Sequence, residues 1–192
     1  MRTLFFTALL FAATQLFAAP VDLAAGHDVA FYSKLRFDYA ARKGFSPHWA
    51  SDEKRKTVDR AYKLRDTERT ITLGRAWLDS VPVDAEVYLM IAMCMKEKGD
   101  LKAMCQYLSA FYGLLQSITA TGDGKTPETA FKIISVAEEY ALLREIGAEV
   151  KSQSLVGPCD KMEVERNGKE YTFYFDVRIP LKAEADALES NE

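Results

Sequence analysis

The sequence predicts an α+β protein in which antiparallel helices pack on a small antiparallel sheet that carries one short helix. Three observations point there. Residues 84–118 place apolar side chains at helical spacing on both sides of a Gly99-Asp100 break, the pattern of a helical hairpin. A matching break recurs 34 residues earlier, at Arg65-Asp66. The last third instead alternates polar and apolar residues around Asn167-Gly168, the strongest short signal for a two-residue β-hairpin.

The chain opens MRTLFFTALLFAATQLFAAP. Arg2, an apolar run from Leu4 towards Phe17 and the small residues Ala18-Ala19 read as a secretory signal peptide over residues 1–18. Cleavage is expected after Ala18, because Pro20 disfavours a cut after Ala19. The alternative is a buried N-terminal helix. No later apolar stretch approaches the ~20 residues of a membrane span, so no transmembrane segment is expected after cleavage. Residues 19–192 retain 24 of the 25 basic residues and all 28 acidic ones, a formal charge of −4. That balance excludes the concentrated basic face of a nucleic-acid binder.

The next segments read as helices. Residues 28–41 place Phe31, Leu35 and Tyr39 on one face. The aromatic link Gly44–Trp49 follows, where Phe45 and Trp49 either plug the end of the helical stack or line a ligand groove. Helices are expected over about 52–64 and 67–79, then from Asp84, where Tyr88, Ile91, Ala92 and Met95 form one stripe. That helix is apolar almost all round, so it is expected to be central. After Gly99-Asp100, Leu101, Met104, Leu108, Phe111 and Leu115 mark the apolar side of the next helix. The 34-residue period and the hairpin form resemble the tetratricopeptide repeat, over about one and a half units within region 19–120. A pair of such hairpins needs neighbours to bury its faces, here the first helix and the C-terminal region.

The stretch TGDGKTPE at 121–128 contains the Gly-Lys-Thr of a phosphate loop, but Thr119 stands where the first glycine of that motif belongs. A calcium loop fails too, since its alternating Asp/Asn ligands are absent. The segment reads as a connector: Gly122 as a helix C-cap, Asp123-Gly124 as a turn, Thr126 as a cap and Pro127 at a first helical position. Residues 121–182 then form the small α+β region. Phe131–Ile134 is a strand. Ser135 and Glu138 form a capping box that starts a short helix ending near Gly147. Strands follow over 150–156, 161–166 and 171–177, with Asn167-Gly168 as the hairpin turn and Pro180 as the stop. The acidic residues 183–192 read as a disordered tail.

GDGKTPETAFKIIS, Glu138-Glu139-Tyr140, Gln153-Ser154-Leu155 and the final hairpin together resemble a bacterial exported family known as domain of unknown function 4919. The resemblance implies the fold and export. It supplies no catalytic residue.

No catalytic residue, metal ligand or cofactor is assigned from the sequence. Cys94, Cys105 and Cys159 show spacings of 11 and 54, unlike metal or redox pairs. An odd count in an exported chain suggests one disulfide, either Cys94–Cys105 across the hairpin or Cys105–Cys159 between halves. The functional expectation is a protein- or peptide-binding scaffold in the periplasm of a Gram-negative bacterium, or secreted. Its partner would be another envelope protein or peptide. Tyr107, Tyr112 and Gln116 are candidates for the binding face. The alternatives are an immunity-type inhibitor of an envelope toxin, or a small hydrolase built on Asp123, Lys125, Glu138 and Glu139.

Overall fold

The structure, a computed structural model, describes residues 21–189. The expected signal peptide lies outside the described residues. Helix α1 (Val29–Ala40) starts at Asp28, whose side chain accepts from the Phe31 amide. Four helices follow: α2 (Glu53–Lys63), α3 (Thr67–Ser80), α4 (Ala85–Glu97) and α5 (Leu101–Thr119). Each opens on an aspartate N-cap: Asp52, Asp66, Asp84 and Asp100. An aspartate there satisfies orphan amides and meets the positive end of the helix dipole.

The turns of the two hairpins match atom for atom at a shift of 34. Asp66 N donates to Ala61 O and Asp100 N to Met95 O, both at 3.0 Å. Arg65 has φ 57° where Gly99 has φ 77°. Both turns need a left-handed residue, and the first hairpin supplies it with an arginine. Asp66 and Asp100 then cap onto Arg69 and Ala103.

Helix α4 is central, with Val87, Ile91 and Ala92 fully buried between α3 and α5. Gly74 sits in mid-helix because α4 lies against it. A Cβ there would come 2.9 Å from Ile91. On α5, Gly113 admits the Tyr32 ring of α1. Leu101, expected on the apolar side, is instead exposed at the first turn of α5.

Strand β1 is shorter than expected, Phe131–Lys132, because Ile133 and Ile134 turn into the core ahead of α6 (Val136–Glu145). Strands β2 (Glu149–Val156), β3 (Cys159–Arg166) and β4 (Lys169–Asp176) form a meander. The expected antiparallel sheet is in fact mixed. Its order is β1-β4-β3-β2, and β1 runs parallel to β4. The turn of 121–130 lays β1 alongside β4, and α6 carries the chain across to the far edge. Met162, Val164 and Phe175 line the buried face of the sheet.

Two expectations about the C-terminus are corrected. Pro180 does not end structure. It lies in the first turn of α7 (Arg178–Glu189), where a missing N–H costs nothing. Residues 183–189 are helical rather than disordered. Alanine and glutamate favour helix, Lys182 pairs with Asp186 one turn on, and Glu184 reaches His48 at 3.1 Å.

Candidate functional site

The connector 121–130 is a closed loop. Asp123 Oδ1 accepts from Thr129 Oγ1 at 2.6 Å and from the Lys125 amide at 3.1 Å. These bonds, Thr129 first, lower the Asp123 carboxyl to about 2. Thr126 caps a short 3₁₀ turn that Pro127 begins. Gly122 lacks the left-handed conformation of a C-cap. It is required to be glycine because the carbonyl of Thr129 packs on it. Gly124 has φ 67°, its amide donates to Thr129 O, and its carbonyl accepts from Tyr174 N of β4 at 2.8 Å. A Cβ on Gly124 would lie 2.3 Å from the Phe131 ring. Gly124→Ala combines backbone strain with this overlap, and is expected to cost about 2–4 kcal/mol in denaturant unfolding. A loss below ~1 kcal/mol would show that the loop relaxes freely.

Helix α6 is the junction of the two halves. Ser135 caps it through the Ala137 amide and donates to Pro47 O. Glu138 does not close the expected capping box. Its carboxylate faces inward, accepting the Ile134 amide at 2.9 Å and the Arg36 guanidinium at 2.7 and 2.6 Å. Arg36, fully buried on α1, also donates to Lys132 O and Ser117 Oγ. One guanidinium thus links α1, α5, β1 and α6.

Glu139, the next residue, faces the sheet and is fully buried. Among the described residues, no hydrogen-bond donor reaches either of its carboxyl oxygens. Its polar neighbour is Asp160 on β3, whose charge disfavours ionisation of Glu139. Burial foremost, then the Asp160 charge, raises the Glu139 carboxyl to about 9. Asp160 Oδ2 accepts from Gln153 Nε2 at 2.7 Å, and Gln153 Oε1 accepts from Tyr140 at 3.3 Å. Sequence reasoning missed this cluster. The only signal for it was a second glutamate directly after Glu138, turned by ~100° on the helix towards a different neighbour.

The sequence-derived binding face is divided. Tyr107 is buried at the wall of a groove of about 330 Å³ formed with Arg75, Leu78, Asp79, Tyr88, Val21 and Leu23. Its hydroxyl accepts from Arg75 Nε at 2.9 Å. Tyr112 and Gln116 are exposed on another side of α5, since five residues rotate a helix by ~140°. The Tyr112 phenol is raised by the nearby Glu145. Trp49 both plugs and lines: it is buried against Tyr39 and borders a second cleft of about 480 Å³ with Ser46, His48 and Asp52. Asp123 and Lys125 are exposed on the connector while Glu138 and Glu139 are buried in α6, so the residues of the hydrolase alternative are not assembled into one site. Asn167 and Gly168, with φ 53° and 72°, form the β3–β4 turn.

The disulfide expectation is corrected: Cys94, Cys105 and Cys159 are all free thiols. Cys94 is buried in α4 beside Thr70, Cys159 is buried near Pro127 O, and Cys105 is exposed. Burial raises both buried thiols. A thiol reagent at pH 8 is therefore expected to modify Cys105 quickly and the other two only on unfolding. Fewer than three titratable thiols in denaturant without reductant would show a bridge.

Among the described residues no group of three or more His, Cys, Asp or Glu is placed to hold a metal ion, and no helix is long and apolar enough to cross a membrane. Comparison with curated proteins finds no match, and comparison with solved structures finds none. The family model described as domain of unknown function (DUF4919) matches residues 28–186. That span runs from the Asp28 cap to the C-terminal helix and takes in both halves of the fold, and the chain belongs to this family.

Proposed function

We propose that the protein is an exported, periplasmic binding or scaffolding module that holds an envelope protein or peptide through its helical half. The observation that carries this reading is the groove at Tyr107. It lies where α3, α4 and α5 meet, with apolar walls from Leu78 and Leu23 and charges from Arg75 and Asp79 at its rim. A concave site with few, placed polar groups suits an extended peptide with an apolar anchor. The chain's own Val21 and Leu23 already lie along it. The matched turns at Asp66 and Asp100 support reading the two hairpins as tetratricopeptide-like, an architecture that presents concave helical surfaces to peptides. The N-terminal sequence 1–18 supports export.

The test is a crosslinked pull-down of the tagged protein from its native envelope, followed by affinity measurement for whatever dominates. Arg75→Ala and Tyr107→Phe are expected to weaken binding at least tenfold while leaving the unfolding midpoint within a few degrees. An empty pull-down at good expression, or a partner indifferent to both substitutions, would sink the reading.

A further inference from the structure

We infer that the free edge of the sheet is a second docking surface, for an extended partner segment that carries a lysine or arginine two residues from a large apolar side chain. It is separate from the groove and rests on the reading above only in that the chain has protein partners.

Among the described residues, β2 is an edge strand of the sheet, with no strand paired beyond it. An edge presents a row of unpaired amides and carbonyls, and natural edges are blunted by bulges and lysines. In β2 those devices are confined to its first half. The register slips between Val150 and Ser152, and Lys151 is held there by Glu149 and Glu165. From Ser152 to Val156 the strand is regular, wholly exposed and free of charge. Such a stretch accepts an added strand through its backbone, while side chains at alternate positions set specificity.

The side chains beside this edge say what those positions should be. Leu155 is 59% exposed and Tyr140 of α6 is 39% exposed, leaving apolar surface at the margin of the helix-covered face. Gln153 and Leu155 point to that face, because they pair with Met162 and Asp160 of β3. An apolar side chain from an added strand would cover Leu155 and Tyr140. Just behind lies the Glu139–Asp160 pair. Asp160 is half-buried, is held by Gln153, and has no cation paired with it among the described residues. Glu139 is fully buried with neither oxygen partnered among the described residues. An added strand stands two strand spacings from β3, about 10 Å. A lysine or arginine stem crosses that span together with an aspartate side chain, laying its apolar part over Gln153 and Leu155. The arriving charge compensates Asp160 and the partner's backbone completes the edge. An acidic segment would meet the two carboxyl groups and be rejected.

The experiment is selection from a displayed library of nine-residue peptides, with threonine at alternate positions and the others randomised, on the purified full-length mature chain. Enrichment of Lys or Arg at one position and a large apolar residue two positions away is expected. Leu155→Lys supplies the cation from the protein itself and guards the edge. Together with Asp160→Asn it is expected to weaken the best peptides at least tenfold. Both positions reach solvent, and a thermal melt confirms that each variant folds. No enrichment, or enrichment of acidic residues, overturns the inference. Peptides that bind Leu155→Lys normally but are lost with Arg75→Ala overturn it while upholding the groove. Dimerisation of the unliganded protein that Leu155→Lys abolishes would assign the edge to a second copy of this chain and also overturn it.

Discussion

Replacing Arg36 by alanine is expected to lower the unfolding free energy by about 3–5 kcal/mol, because it strands a buried carboxylate. Glu138 is only 4% exposed, and three of the donors that its oxygens accept come from Arg36 and the Ile134 amide. Removing the guanidinium also leaves Lys132 O without that donor. For a chain of this length, 3–5 kcal/mol corresponds to a fall in Tm of roughly 6–20 °C. Glu138→Ala is expected to cost a similar amount, since it leaves the Arg36 charge buried and the Ile134 amide unpaired. The Arg36→Met/Glu138→Leu double variant is expected to be less destabilised than the sum of Arg36→Met and Glu138→Leu made singly. Single losses under ~1 kcal/mol would show that this pair does not join the halves. Loss of the pair should also appear first at the interface, as faster hydrogen exchange in α1 and α6 together.

The second large effect is a dependence on pH. The folded protein holds the Glu139 carboxyl near 9 against 4.5 for an ordinary glutamate, because burial and then the Asp160 and Glu138 charges oppose its ionisation. The folded state therefore binds this proton more tightly than the unfolded one. Its stabilisation is complete below about pH 4.5 and is lost progressively as the pH rises towards 9. The slope is at most about 1.4 kcal/mol per pH unit. Urea midpoints at pH 5, 7 and 9 are expected to fall in that order. Glu139→Gln removes the ionisation while keeping the shape. It is expected to flatten the decline and to exceed the wild-type stability at pH 9. A wild-type midpoint that rises from pH 5 to 9, with Glu139→Gln following it, would contradict this assignment. At the acid end the lowered carboxyls of Asp123 and Asp176 act oppositely, losing their contribution as the pH falls. The comparison of the two proteins isolates Glu139 from these groups.

Local chemistry was legible in the sequence wherever neighbours in the chain decide the outcome. The helix starts at Asp66, Asp84 and Asp100 follow from aspartate capping its own next turn, and the Asn167-Gly168 turn follows from two residues that tolerate positive φ. The central position of α4 was legible because a helix apolar all round has no solvent face. The family resemblance was carried by short runs in the same half of the chain as the sheet. What the tertiary structure decided depends on groups distant in sequence. Glu138 is a plausible cap until Arg36, 102 residues away, places a guanidinium against it. Glu139 looks like its neighbour until Asp160 arrives from β3. The parallel pairing of β1 with β4 could not be read, because two residues carry no period and the partner strand comes last. The C-terminal helix was misread for a related reason: an acidic composition describes a solvated surface equally in a helix or a tail, and the choice is settled by Pro180 entering its first turn and Glu184 meeting His48. The same division holds for function. The expectation of export rests on the leader-like N-terminal sequence, which depends on the chain alone. Spacing alone separates Tyr107 from Tyr112 and Gln116 on the helix, but which of them meets the groove depends on how α5 packs against α3 and α4, and packing sends Tyr107 there and leaves the other two in solvent.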